Sequence, residues 1–287
     1  MRTLHCFGWK LEDIISHMKE FKEAEWDSIL LSPVQPKAKP ISKEWYEVYQ
    51  ISSLTIEDPL KLKEVCEEAH KYEIKILCDV IFTHFGNDGK FNSLNPANTV
   101  DKDITDNKYF WKEKQLINYN NRYSITHHCN GCPSTRTDNF DYIDLVADFL
   151  NELIEIGVDG FRVDSCKMIS LPEEDGNLCL PRLYSKLNKK VMWFGEVINE
   201  TSDLMNMYHK YIGTINNLSD SAYRVDKTKE LVFVESHDSF LNDDRSGYTK
   251  RLSEEDILIN WKYLIKDFPN TIFYPRPFSD MWKYANK

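Results

Sequence analysis

The chain has 287 residues, 41% hydrophobic, 13% aromatic and 29% charged, enough to bury a full core without help from disulfides or metals. Thirty-six Lys and Arg face 46 Asp and Glu, a formal charge of −10 with no basic run, which sets nucleic acid aside as a partner and favours a neutral or cationic one. No stretch approaches the roughly 18 consecutive apolar residues of a spanning helix and no signal peptide follows Met1, so the expected setting is cytoplasmic, with no membrane. Seven cysteines, an odd number and mostly inside apolar runs, favour a reducing compartment. At about 150 residues per domain the length allows two domains, but one large α/β barrel fits equally well.

Short apolar runs alternate with longer segments of helical period, the signature of βαβ units and a parallel sheet. A strand is predicted over 3–7, then one helix over 11–25, where Ile14, Ile15, Met18, Phe21 and Trp26 form an imperfect apolar stripe. A strand over 28–31 leads into a loop punctuated by Pro33, Pro36 and Pro40, followed by a helix over 59–72 and a strand over 75–80. Residues 85–140 are rich in Asn, Asp, Tyr and His and too long for an ordinary connection, so they read as an inserted subdomain. The alternation resumes with a helix over 143–156 and strands over 160–163 and 191–194. A helix over 202–211, a strand over 230–234, a helix over 254–266 and a strand over 271–274 complete it. An eighth strand, needed to close a barrel, has only the thin candidate 212–216.

Within the insert, His127-His128-Cys129-Asn-Gly-Cys132 reads as a plain loop whose two cysteines could pair locally, ahead of a zinc site, because adjacent histidines on an extended chain point apart. Asp138, Asn139 and Asp141 are better candidates for a hard cation, which prefers carboxylate and carbonyl oxygens. The glycosylation patterns at Asn199 and Asn217 read as chance matches.

In a parallel barrel, reactive groups gather at the carboxyl ends of the strands. Here those ends read Asp79-Val-Ile-Phe-Thr-His84, Gly160-Phe-Arg-Val-Asp164, Trp193-Phe-Gly-Glu196 and Phe233-Val-Glu-Ser-His237-Asp238. Arg162 and Asp164, two apart on a strand, share a face, where a guanidinium can keep a carboxylate ionised and fit to act as a nucleophile. Glu196 follows an apolar stretch that can raise its pKa and keep a proton ready for donation. Two carboxyl groups with split pKa values on neighbouring strand ends describe glycoside hydrolysis, in which a retaining enzyme sets them roughly 5 to 5.5 Å apart.

These four segments, in this order, resemble the signature regions of the α-amylase family of glycoside hydrolases. Trp45-Tyr-Glu-Val-Tyr49-Gln50, the run 231–244 and Ile272-Phe-Tyr-Pro-Arg-Pro277 are similar to segments of the saccharifying, Bacillus subtilis-type members. The resemblance implies a calcium-containing (β/α)8 TIM barrel made of 1–84 and 141–287, with 85–140 inserted after the third strand. It implies a retaining endo-hydrolase of α-1,4 bonds in starch, glycogen or maltooligosaccharides, so that the partner is an α-glucan. By that likeness Asp164 is the nucleophile, Glu196 the acid/base and Asp238 the third carboxylate. His84, Arg162, Lys167, His237 and Tyr49 match substrate-site positions, with Trp45, Tyr46 and Gln50 extending an aromatic platform for the sugar.

Departures from the pattern carry their own expectations. Thr83 stands where the family has an asparagine that binds the calcium joining barrel and insert. Met168 stands where the family has a histidine, and would contribute through its carbonyl beside Asp138 and Asp141. The sixth-strand region is shortened, and no last barrel helix or C-terminal β-domain follows residue 277, which predicts uncovered apolar sheet and self-association or a covering partner. Two alternative readings remain: an α-glucan transglycosylase, and a weak or inactive glucan-binding relative; a fragment of a longer gene product is a further reading.

Overall fold

Eight parallel strands close into a barrel in the order of the sequence. A computed structural model describes residues 1–38, 45–90, 92–105, 109–111, 115–241 and 252–287; Pro40, residues 242–244 of the run quoted above and the side chain of Trp45 lie outside them. The first half holds β1 (Arg2–Cys6), α1 (Leu11–Ser16), α2 (Met18–Glu23), β2 (Ser28–Leu31), a 3₁₀ turn (Trp45–Tyr49), α3 (Pro59–Lys71) and β3 (Lys75–Val80). Segment 85–140 contributes α4 (Lys102–Thr105) and α5 (Arg122–His127), and its last residue opens α6 (Phe140–Ile156). Then come β4 (Gly160–Val163), a 3₁₀ turn (Cys166–Met168), α7 (Pro172–Asp175), α8 (Cys179–Lys186), β5 (Met192–Glu196), α9 (Ser202–Tyr208) and β6 (Gly213–Asn217). α10 (Asp220–Tyr223), β7 (Glu230–Phe233), α11 (His237–Leu241), α12 (Glu254–Asp267) and β8 (Thr271–Phe273) complete the circuit. The barrel closes where Arg2, Thr3 and Leu4 pair with Thr271, Ile272 and Phe273. No described helix is long and apolar enough to cross a membrane.

Local chemistry sets the element ends. Asp58 accepts the Lys61 N–H at 2.9 Å and Pro59 follows as the first helical residue, so α3 starts there. Asn139 caps α6 three residues earlier than the sequence pattern suggests, accepting from Tyr142 N at 3.2 Å. The single helix predicted over 11–25 is two. The Ser16 hydroxyl and the His17 ring both bond to the Asp13 carbonyl, at 2.8 and 2.7 Å, and compete with the helical ladder at the break.

The thin eighth candidate is β6, displaced by one residue, and its weakness has a cause. Its outward residues Thr214 and Asn216 are fully buried but polar. They are satisfied by His209 Nε2, 3.0 Å from Thr214 Oγ1, and by the Met205 sulfur, 3.6 Å from Asn216 Nδ2. Glu230 of β7 completes that cluster, 2.7 Å from His209.

Inside the barrel, Leu30, Leu77, Phe194, Ile215, Leu231, Phe233 and Ile272 form one apolar plug. A larger core fills the space between strands and helices. The sheet surface expected to be bare is covered by the end of the described chain. Met281 and Ala285 are fully buried, the Trp282 ring lies 5.0 Å from Phe21 of α2, and the Trp282 carbonyl accepts from Trp26 Nε1 at 3.0 Å. Asn286 ties this segment to α12 by accepting from Trp261 Nε1 at 3.1 Å, so a short turn packs where the sequence predicted bare apolar sheet.

Candidate active site

Asp79 on β3 and Arg162 on β4 are register partners with both side chains turned into the barrel. Arg162 Nη1 donates to both Asp79 oxygens, at 2.7 and 2.8 Å, and to Asp164 Oδ1 at 3.0 Å, while Nη2 donates to Glu196 Oε1 at 2.7 Å. One guanidinium therefore holds three carboxyl groups from three adjacent strand ends. It is itself buried, and these anions keep it firmly protonated. Burial pushes Asp79 up to about 7 against the pull of Arg162. Every hydrogen bond just named donates to it, which is the bonding pattern of a carboxylate.

Glu196 is fixed from a second direction. Ser165, immediately after Asp164, adopts a left-handed backbone at φ 50° that turns its N–H to Glu196 Oε2 at 2.9 Å and its hydroxyl to Asp164 Oδ2 at 3.0 Å. A non-glycine residue there stores about 1 to 3 kcal/mol of strain, as functional turns often do. The turn can pack so closely because residue 195 is glycine: a Cβ there would sit 2.3 Å from Cys166 Sγ. Burial is the main cause raising the Glu196 pKa, with the Asp164 charge adding and Arg162 opposing. Asp238, in the first turn of α11, is also pushed up by burial and by the neighbouring Glu196. Crowded acids with raised pKa values can share and pass a proton, which is the requirement of general acid/base chemistry.

Beside them runs a neutral relay. The single Tyr49 proton goes to Asp79 Oδ2 at 2.9 Å, so His237 Nε2, 2.7 Å from the phenol oxygen, must carry the hydrogen of that contact. Burial, then the charges of His5 and Arg162, holds His237 well below the usual histidine range, and burial with Arg162 takes His5 down to about 3. Phe7 stacks on His237 at 4.3 Å, and Tyr49 stacks on the same histidine at 5.6 Å, leaving an aromatic wall at the mouth of the barrel.

A cleft of about 520 Å³ opens above these groups. Its floor holds Asp164, Ser165, Glu196 and Asp238; its sides are lined by Tyr46, Glu47, Tyr49, Gln50 and His84 and, from segment 85–140, by Asn87, Lys90, Asn92 and Asn130. The structure thus gathers at one place Asp164, Glu196, Asp238, Tyr46, Tyr49, Gln50 and His84, with Arg162 and His237 just beneath. Lys167 does not line this cleft. It points across the rim, 3.9 Å from Glu200 and 5.5 Å from the Tyr119 ring.

Residues suggested for a cation have partners or surroundings within the protein. Asp138 is clasped by Arg136 at 2.7 Å, Asn139 is spent on capping α6, and Met168 is buried. Among the described residues no three His, Cys, Asp or Glu side chains converge as metal ligands. In the cysteine loop no disulfide joins Cys129 to Cys132, whose sulfur lies 3.9 Å from Asn87 Nδ2; His127 lies 3.4 Å from Asp175, and His128 Nδ1 meets Ser124 at 2.7 Å.

Sequence reasoning missed Asp79, Phe7, His5 and Ser165 as site residues. The strand-end rule reaches the first two, since Asp79 lies on β3 and Phe7 follows β1 directly. Nothing in the residue types signals the left-handed turn at Ser165.

The sequence of residues 8–262 matches the family model described as alpha amylase, catalytic domain. An alpha-amylase of Butyrivibrio fibrisolvens is 24% identical over an alignment covering 96% of this chain and 34% of its own length. For one of Clostridium acetobutylicum the figures are 25%, 86% and 36%, so the chain spans about a third of the curated relatives it matches. Alpha-amylase I of Eisenia fetida superposes with a TM-score of 0.78 at 17% identity, covering 95% of this chain and 66% of that one. A gamma-CGTase from an alkalophilic Bacillus clarkii gives 0.70 at 14% identity, covering 93% and 45%. Barrel, cleft and family model agree, and the chain belongs to the alpha-amylase family of hydrolases through its catalytic domain.

Proposed function

We propose that the chain hydrolyses internal α-1,4 bonds of starch, glycogen or maltooligosaccharides with retention of configuration. The observation that carries this is the pair Asp164 and Glu196 held by the two arms of the Arg162 guanidinium at the floor of the cleft. Arg162 donates to Asp164 Oδ1 and orients this carboxylate for attack on the anomeric carbon. Glu196, with its raised pKa, protonates the glycosidic oxygen as the bond breaks. The same glutamate, then deprotonated, takes a proton from the water that releases the glycosyl-enzyme. In this reading Asp238 binds ring hydroxyls, and Tyr49 and His84 offer the flat, weakly polar surfaces on which a neutral sugar settles. Segment 85–140 acts in this reading as an inserted subdomain that lines part of the cleft.

Release of reducing ends from soluble starch tests the proposal, comparing the full chain with Asp164→Asn and Glu196→Gln. The expected result is turnover in the parent and a loss of at least about a thousandfold in each variant. A folded parent as inert as the variants would overturn it in favour of glucan binding without turnover.

A further inference from the structure

The α-amylase resemblance brings with it a calcium ion between barrel and insert, and the residues at that junction do not fit one. Thr83, at the position of the family's asparagine ligand, holds its hydroxyl 3.2 Å from His84 Nδ1. On the barrel side, the carbonyls that flank Met168, those of Lys167 and Ile169, face a side chain from the insert, Arg122, the first residue of α5. Its Nη1 donates to Lys167 O, and Nη2 donates to Ile169 O at 3.2 Å and to the Tyr208 hydroxyl at 2.8 Å. Nε and Nη2 reach the two Glu174 oxygens at 2.6 and 2.8 Å.

The surrounding groups close this shell. Tyr208 passes its own proton to Ile169 O at 2.7 Å and lays its ring 5.7 Å from the guanidinium carbon. Glu174 also accepts the Leu171 N–H at 2.8 Å. Calcium seeks six to eight oxygens, several of them carboxylate. Here the central carboxylate is committed to a guanidinium, two carbonyls are already capped by N–H donors, and a fixed positive charge sits among them. A planar fork of donors suits this mixed set of carbonyl, carboxylate and phenol oxygens better than a point charge does.

We propose that Arg122 is the resident cation of this junction, binding the insert to the barrel in place of a metal ion and positioning the catalytic turn. The turn it grips, Cys166–Met168, follows directly on Ser165, whose N–H and hydroxyl orient Glu196 and Asp164. His127 of the same helix, 3.4 Å from Asp175, adds a second tether to α7 beside the Glu174 pair. Arg122 touches none of the reacting groups and acts through Ser165, as a positioning residue. That half of the inference rests on the hydrolase reading; the replacement of the metal does not.

The test uses the full chain, its Arg122→Ala and Arg122→Lys variants, and calcium, EDTA and methylguanidinium as probes. Thermal unfolding of the parent is expected to be identical in EDTA and in millimolar calcium, with no heat of calcium binding. Arg122→Ala is expected to lower the midpoint by about 5 °C or more. Methylguanidinium should restore part of that loss, and Arg122→Lys, which lacks the fork, should restore less than half. In starch assays Arg122→Ala should lower kcat roughly tenfold to a hundredfold with little change in KM. Its alkaline limb should move upward, since Glu196 loses the N–H bond that favours its anion. A parent midpoint that falls in EDTA and returns with calcium would overturn the proposal, as would an Arg122→Ala variant with the parent's midpoint and kcat. Should Arg122→Ala fail to fold, the EDTA comparison on the parent and the Arg122→Lys midpoint decide the matter. A parent that turns over no starch would sink the hydrolase reading, and the unfolding arms would still judge the cation.

Discussion

The two ends of the barrel interior are made from the same strands and have opposite chemistry. Leu77 and Asp79 stand two residues apart on β3, as do Phe194 and Glu196 on β5, and each pair shares the inward face. One step of about 7 Å along the strand thus passes from hydrocarbon to buried charge. The plug is apolar and owes its stability to burial. The mouth stores carboxyl groups at hydrogen-bond range of one guanidinium, two histidines held neutral and a left-handed serine. Stability resides in the first region and is drawn on by the second, where the chemistry needs groups held in unfavourable surroundings.

Substitution at each end separates the two. Leu231→Ala removes a fully buried plug side chain and should lower the unfolding free energy by about 2 to 5 kcal/mol. Its kcat/KM, measured well below the lowered midpoint, should stay within about a factor of two of the parent, because Leu231 belongs to the plug and does not line the cleft. Asp164→Asn should do the reverse, abolishing turnover while leaving the midpoint equal or higher through relief of like charge. Equal losses of stability and activity in Leu231→Ala would end this division of labour.

A smaller effect sharpens the electrostatics of the mouth. The Lys167 charge lies outside the cleft yet favours the Glu196 anion, so it lowers the pKa of that acid. Glu196 must be protonated to donate, and turnover therefore falls as pH rises through its pKa. Lys167→Met removes the lowering influence and should move the alkaline limb of kcat/KM upward by a few tenths of a pH unit. A shift toward acid would contradict the placement of Glu196 as the proton donor.

The barrel was largely legible because its strands are short runs of Ile, Leu, Val and Phe bounded by turns. β6 was the hardest, since Gly213-Thr-Ile-Asn-Asn217 has a single aliphatic residue, and its buried polar side chains find partners on α9 and β7 that no local pattern reveals. Of the candidate site, the strand-end acids could be read because a parallel barrel puts such residues at one rim. Lys167 shows the limit: its place in a motif was visible, but its direction depends on Tyr119 and Glu200 from distant segments. Arg122 was invisible for the same reason, as its partners Lys167, Ile169, Glu174 and Tyr208 lie 45 to 86 residues away.

The most direct measurement is proton NMR of the reducing ends released in the first minutes of maltopentaose hydrolysis by the full chain. Attack by Asp164 followed by water predicts that the new ends appear as the α-anomer and relax toward β only by mutarotation. New ends that appear first as β would contradict the account, because they would require a single displacement by water with no covalent intermediate on Asp164.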